Sequence, residues 1–266
     1  MVLFKNGLKW GRYRLTKLPR FEPQQETLLA LEPFQERFHW RDHLGRLFRG
    51  QMAQDFLAYI LFGRNGFFVE FGASDGDVLS NSRALEALGW KGILAEPGRQ
   101  WHDLLKANRP SSMLSFDCVW SDTGSSVTFY EMDNLHLSNT QGQSNSPNRS
   151  QQTKNRVTSS YQVQTVCLHD LLTQFGAPEF VEYISMDTEG SEFQILEAFP
   201  FDKWTFGLLT VEHNFSLERQ HICDLLQGHG YVRVLMEKSG VDDWYVHSSI
   251  LETSQFKNAE ALFNLI

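Results

Sequence analysis

Cysteine is scarce in this 266-residue chain. Cys118, Cys167 and Cys223 are odd in number, widely spaced and form no C-x-x-C pair. That excludes a disulfide framework and points to reduced core thiols in a cytoplasmic protein. No apolar run approaches the ~18–20 residues that span a bilayer. No h-region marks a secretory leader, so none is expected. No internal repeat is visible. Basic residues are also in deficit: 24 Lys/Arg face 32 Asp/Glu, for a net charge of −8. The deficit is uneven. Residues 1–50 hold ten bases and five acids, leaving 14 bases against 27 acids for the rest. An acidic main body argues against nucleic acid as the principal substrate.

Hydrophobic residues make up 41% of the chain, enough for a real core. The length suits one large α/β domain with an extension. Residues 1–47 read as the basic extension and 48–266 as the domain. The extension has two readings: a solvated lead-in, or a contact with an anionic membrane surface or phosphorylated carrier.

The domain is organised around the run F-F-V-E-F-G-A-S-D-G-D at 67–77. Five mostly apolar residues enter a glycine turn, and the pattern Ala84-Leu85 and Ala87-Leu88 follows, closed by Gly89. A buried strand, a glycine turn and a helix open a nucleotide-binding α/β unit. Gly72 and Gly76 would let backbone approach a ligand. Twenty residues on, Glu96 ends a second apolar run, where a carboxylate can accept from both ribose hydroxyls. A dinucleotide would need a pyrophosphate cradle, usually G-x-G-x-x-G. Here the third glycine is missing and Asp75 stands in the turn, where it would repel pyrophosphate. It would suit an amino group and a sulfonium, as in S-adenosylmethionine, with Glu70 a second carboxylate. Alternatively the glycines only shape a turn and Asp75 only caps a helix.

Further elements follow in order. Phe48 to Phe62 reads as a helix ended by Gly63, with Gln51 and Asp55 either near the cofactor or simply at the surface. Ser80-Asn81-Ser82 is an N-cap or a cofactor contact. Trp101 to Asn108 is a helix and Ser112 to Val119 a strand, at whose end Asp117-Cys118 would lie over an adenine. Val127 to Tyr130 alternates like a strand. Residues 138–160 hold one strongly apolar residue, Val157, and cannot fold alone; the segment is a polar flexible insertion or a lid. Strands at 161–166, 181–187 and 206–211 alternate with helices at 168–175, 191–199 and 217–228. Residues 231–235 and 244–246 form a final antiparallel pair. The alternation implies a mainly parallel sheet that binds ligands at its carboxyl edge.

A second constellation falls at that edge. D-T-E-G-S-E at 187–192 and E-H-N at 212–214 follow two successive strands. Methyl transfer from a sulfonium to a hydroxyl is an in-line displacement that needs alignment and a proton acceptor. Asp187 or His213 could be that base. Asp187, Glu189 and His213 could instead hold a divalent metal that acidifies the hydroxyl, although no ligand spacing supports it. Helix capping and a core histidine are the plainer alternative.

These residues resemble the FkbM-type S-adenosylmethionine-dependent methyltransferases. The likeness runs from F-V-E-F-G-A-S-D-G through S-N-S, L-G-W-K-G-I-L-A-E-P at 88–97, Asn108-Arg109, D-T-E-G-S-E, V-E-H-N, Gly230-Tyr231 and D-W-Y at 243–245, about residues 48–247. The resemblance implies a Rossmann-like class I methyltransferase fold: a mainly parallel seven-stranded sheet, an antiparallel last strand and helices on both faces. It implies methyl transfer to a hydroxyl of a sugar or related natural product. Glu70, Gly72, Ala73, Ser74, Asp75, Gly76, Asn81, Glu96, Pro97, Asp117 and Cys118 would carry S-adenosylmethionine. Asp187, Glu189 and His213 would face the acceptor. The rivals are an NAD-dependent oxidoreductase and a non-catalytic module that keeps the fold.

Overall fold

The computed structural model describes residues 48–132, 138, 140 and 156–265. The basic stretch 1–47 and most of the polar segment 138–160 lie outside the described residues. So do the membrane or carrier contact and the lid expected of them.

Helix α1 (Gln54–Phe62) leads into strand β1 (Phe67–Phe71), helix α2 (Arg83–Ala87) and strand β2 (Lys91–Ala95). A 3₁₀ turn at Arg99–Trp101 opens helix α3 (His102–Asn108), followed by β3 (Met113–Ser115), β4 (Cys118–Trp120) and β5 (Ser126–Met132). Then come β6 (Val157–Cys167), α4 (Leu168–Gln174), β7 (Phe180–Met186), α5 (Glu192–Glu197), β8 (Thr205–Glu212) and α6 (Glu218–Gly228). The described chain closes with β9 (Tyr231–Val234), β10 (Asp242–His247), α7 (Ser248–Leu251) and α8 (Ser254–Leu265).

Seven strands form one sheet in the order β3-β2-β1-β7-β8-β10-β9. β1 pairs in parallel with β2 and β7, and β7 with β8. β10 is antiparallel to both β8 and β9. This is the expected mainly parallel sheet with an antiparallel last strand. Its central strands are mostly apolar because both faces are covered. Phe68, Leu94, Tyr183, Leu208 and Trp244 face one layer, with side chains of α1, α2 and α8. Their neighbours Val69, Ile93, Ile184, Leu209 and Tyr245 face the other, with α4, α5 and α6. The two-residue period of a strand produces this split. A smaller sheet, β4-β6-β5, flanks the large one and packs Cys118, Phe129 and Val163 together.

Four boundaries differ from expectation. α1 starts at Gln54 rather than Phe48, because Ala53 is left-handed (φ 65°) and the Asp55 carboxylate accepts the Arg49 and Gly50 amides instead. The strand expected over 112–119 breaks at Phe116-Asp117, and its second half joins the smaller sheet. β6 begins at Val157, four residues inside the polar segment, because it pairs with β5. Two C-terminal helices lie beyond the expected elements; Phe263 of α8 packs edge-on against Trp244.

Candidate functional site

The sheet reverses its strand order between β1 and β7, and a crevice at the carboxyl ends of neighbouring strands follows from that topology. An open cleft occupies this position, between the loop after β1, the tips of β2, β7 and β8, and the segment before α1. Gly72 starts its floor. Gly72 is left-handed (φ 68°), and a Cβ there would overlap the Asp187 carbonyl oxygen. The glycine therefore brings the two strand tips together.

Six carboxylates line the cleft: Glu70, Glu96, Asp187, Glu189, Glu212 and Asp242. Gln51, Gln54 and Asn81 add polar groups, and no lysine, arginine or histidine lines it among the described residues. Glu70 is already engaged. Its oxygens accept the Asn81 amide at 2.8 Å and the Ser80 and Ser82 hydroxyls. Both serines also receive the fully buried Arg109 guanidinium, at 3.1 and 2.9 Å, and Arg109 pairs with Glu86. Glu70 and Arg109 thus hold the 72–82 loop from below. The Asn81 amide group reaches across and donates to Ser185 Oγ at 3.0 Å.

The second acidic group gathers Asp187, Glu189 and Glu212, whose carboxylate oxygens lie within 4.8 Å of one another. Asp187 and Glu212 share a hydrogen bond, so one of the two carries a proton. Burial pushes Asp187 up to about 7 and Glu189 up to about 9, and raises Glu212 well above the carboxylate range, with mutual repulsion adding to the last two. Glu189 is presented by a left-handed backbone (φ 58°). Glu192 holds that turn, accepting the Thr188 amide at 2.8 Å, its hydroxyl at 2.9 Å and the Gly190 amide. Asp242 accepts from Gln54 Nε2 at 2.6 Å, and burial lifts it to about 6.

Glu96 sits at the join between this cleft and a smaller slot. It accepts the Ser74 amide at 2.8 Å and the Gly98 amide at 2.7 Å, while burial raises it to about 7. Each oxygen keeps a free lone pair for a further donor. The slot is lined by Ala95, Pro97, Val119 and Phe129, with Cys118 at its wall. Its apolar lining fits a flat ring.

Of the expected cofactor residues, Glu70, Gly72, Ala73, Ser74, Asn81 and Glu96 line the cleft, and Pro97 and Cys118 the slot. Asp75, Gly76 and Asp117 do not. The Asp75 carboxylate turns back to accept the Asp77 and Val78 amides, both at 2.9 Å. Gly76 makes room for Arg109, whose Cγ a Cβ would meet at 2.6 Å. Asp117 sits at the strand break, where its amide donates to Ser115 Oγ. Of the expected acceptor residues, Asp187 and Glu189 are in place and His213 is not. The His213 ring accepts the Phe215 amide at 2.9 Å and lies 3.8 Å from Asp243, outside the cleft lining. Glu212 takes the position assigned to it, in the acid group and in any shared metal site. Asp55 is neither at the surface nor in the cleft, but buried beneath it. Glu212, Gln54 and Asp242 were missed. Glu212 sits beside a residue that was singled out, whereas the Gln54–Asp242 pair joins positions 188 apart and leaves no local signal.

This strand order with an acidic cleft at its carboxyl edge defines a class I, Rossmann-like methyltransferase fold. Residues 70–233 match the Methyltransferase FkbM domain, and the chain belongs to that family. No curated protein matches it. Among solved structures it is similar to precorrin-6y C5,15-methyltransferase from Geobacter metallireducens GS-15, at 12% identity and a TM-score of 0.40, over 71% of this chain and 76% of that one. It is also similar to 1,6-didemethyltoxoflavin-N1-methyltransferase from Burkholderia thailandensis, whose structure holds 1,6-didemethyltoxoflavin and S-adenosylhomocysteine. There the identity is 10% and the TM-score 0.34, over 86% of this chain and 90% of that one.

Proposed function

We propose that the chain transfers a methyl group from S-adenosylmethionine to a hydroxyl oxygen of a small acceptor, a sugar or a related natural product. One observation carries the reading: six carboxylates and no basic side chain line the cleft among the described residues. Such a site attracts a cation and repels a pyrophosphate, which disfavours a nicotinamide dinucleotide. The donor set fits a ligand with an ammonium, a sulfonium, a ribose and a flat base. Glu96 would accept from the ribose hydroxyls, the 72–74 backbone would back the ligand, and the slot of Ala95, Pro97, Cys118, Val119 and Phe129 would hold the base. Bound there, S-adenosylmethionine supplies a methyl on a positively charged sulfur.

The chain supplies position and a proton acceptor. With its pKa near the working pH, a carboxylate oxygen of Asp187 can take the acceptor's hydroxyl proton, and Glu212 holds that carboxylate in place through their shared hydrogen bond. Glu189, protonated at neutral pH, can donate to an acceptor oxygen.

Calorimetric titration tests the reading, with S-adenosylhomocysteine as ligand, NAD as control, and chelator present and absent. Binding of S-adenosylhomocysteine and not NAD is expected. Binding of NAD alone overturns the reading, and loss of binding with chelator would assign Asp187, Glu189 and Glu212 to a metal.

A further inference from the structure

We propose that Asp242, held by Gln54, reads a second hydroxyl of the acceptor beside the one that is methylated, so that the acceptor is a polyol rather than a lone alcohol; this rests on the O-methyltransferase reading above. The strand tips decide where an acceptor can lie. Glu96 marks the ribose at the tip of β2, with the base in the adjoining slot. From there the sheet runs β2-β1-β7-β8-β10. A cofactor laid over β2 and β1 leaves the tips of β7, β8 and β10 to the acceptor.

Three carboxylates stand in a row on those tips. Met186 is opposite Val211, which sets Asp187 beside Glu212, and Glu212 is paired directly with Asp242. All three line the cleft. Neighbouring strands lie about 4.7–4.9 Å apart, so the row spans about 10 Å of backbone. An acceptor over the middle strand can therefore meet both ends. Hydrogen bonds of about 2.7–2.8 Å on each side leave room between them for two hydroxyls of one sugar ring. Asp187 and Asp242 already sense one another across Glu212: burial raises Asp187, and the Asp242 charge adds to the rise.

The far end of the row is held in place before any ligand arrives. Asp242 Oδ2 accepts from Gln54 Nε2 at 2.6 Å, and both residues are more than nine-tenths buried. The Met52 amide donates to Gln54 Oε1 at 2.8 Å, which fixes the end of the Gln54 amide that faces Asp242. Beneath them the Asp55 carboxylate accepts the Arg49 and Gly50 amides at 2.7 and 3.2 Å. A Cβ on Gly50 would meet Asn81 Oδ1 at 2.8 Å and Gln54 Oε1 at 2.9 Å, so only glycine lets the segment close on the cleft. A carboxylate offers about four acceptor sites, and Gln54 and the neighbouring Trp244 indole use two at most. No lysine, arginine or histidine lines the cleft among the described residues to take the rest. A hydroxyl of the acceptor fits there. Burial lifts Asp242 to about 6, so it is ionised at pH 8 and accepts as a full charge.

The test measures transfer of labelled methyl from S-adenosylmethionine at pH 8 to methyl hexopyranosides and their singly deoxygenated analogues, with S-adenosylhomocysteine calorimetry on every variant. In the wild type, the analogue that lacks the methylated oxygen gives no product. A second analogue should show KM raised about 10- to 100-fold, the loss of one hydrogen bond to a charged group. Asp242→Asn should raise KM for the parent glycoside by a similar factor and no longer distinguish it from that second analogue, because removing either partner of one contact removes the same contact. Its S-adenosylhomocysteine affinity should match the wild type; a loss would assign Asp242 to the cofactor and overturn the proposal. Should Asp242→Asn not fold, Gln54→Met decides in its place by shrinking the penalty on the second analogue. A penalty that the folded variant leaves intact overturns the proposal and makes the pair a tether between α1 and β10. Equal KM for every analogue that is still methylated overturns it on the wild type alone. No transfer to any glycoside, with S-adenosylhomocysteine still bound, overturns the polyol acceptor and leaves methyl transfer standing. Failure of S-adenosylhomocysteine to bind overturns the underlying reading.

Discussion

Asp187 and Glu212 share one hydrogen bond at the bottom of an acidic cleft, so neither titrates like an isolated carboxyl. If Asp187 takes the hydroxyl proton, Asp187→Asn should lower kcat by about 10²–10⁴, the usual worth of a positioned base. Glu212→Gln keeps a hydrogen bond to Asp187 and should cost less. S-adenosylhomocysteine affinity, followed by calorimetry, should hold in both. In the wild type, kcat should rise with pH through about 7, because Asp187 is active only when ionised. A flat profile from pH 6 to 8 would remove it as the base. Glu96→Gln should weaken S-adenosylhomocysteine binding by about 1.5–3 kcal/mol, the range for hydrogen bonds to a charged group; an unchanged isotherm would take Glu96 out of the ribose site. Residue identity was partly legible beforehand. Glu96 and Asp187 stand at strand ends, and the crevice they line lies at the carboxyl edge that a parallel sheet predicts. Asp75 misled because a carboxylate in a glycine turn has two uses, and the nearby Asp77 and Val78 amides took it. His213 misled because adjacent residues at a strand tip point to opposite sides, and Glu212 was the one on the cleft side.

At the scale of elements, the loop between β1 and α2 is held from beneath by one buried cation. Arg109, at the end of α3, donates to the Gly76 carbonyl at 3.2 Å, to Ser80 and Ser82, and pairs with Glu86. It lies under Glu70, 3.8 Å from Oε2. Arg109→Met would leave Glu70 and Glu86 buried without their counter-charge. Denaturant unfolding should show a loss of about 3–5 kcal/mol, as for other broken buried pairs. Arg109→Lys should recover little, because one ammonium cannot copy the planar fork. Equal stability of the methionine variant would mean that water replaces the guanidinium. The strands were readable because a sheet covered on both faces demands continuous apolar runs. The start of α1 was not, since a helix-compatible apolar face from Phe48 onward says nothing of the buried Asp55 carboxylate that takes the Arg49 and Gly50 amides. The split of β3 from β4 and the early start of β6 are set by pairing partners distant in sequence, so no local pattern announces them.

For the molecule as a whole, the sequence shows a net charge of −8 but not that much of it converges on one cleft. That convergence sets how stability answers pH. Burial raises Asp55, Asp187 and Glu96 to about 7, Asp242 to about 6 and Glu189 to about 9, from model-peptide values of 3.8 for Asp and 4.5 for Glu. Between pH 4 and 7 the folded chain therefore holds protons that the unfolded chain has released. The stabilisation is complete below about pH 4 and is lost as pH rises through 6 to 9. His102 and His213 work the other way, since burial lowers both from 6.5 and favours their neutral forms as pH rises. Five carboxyls outweigh two imidazoles. The melting temperature of the ligand-free protein, scanned by calorimetry in low salt, should thus be higher at pH 5 than at pH 8. A sulfonium ligand should reverse part of the loss. S-adenosylmethionine should raise the melting temperature more at pH 8, where the cleft is ionised, than at pH 5. S-adenosylhomocysteine, which lacks the positive sulfur, should show a smaller difference between the two. A melting temperature that climbs from pH 5 to 8, or an equal response to both ligands at every pH, would mean that the cleft carboxylates are ionised or screened from the outset, and that its charge does not select the cofactor.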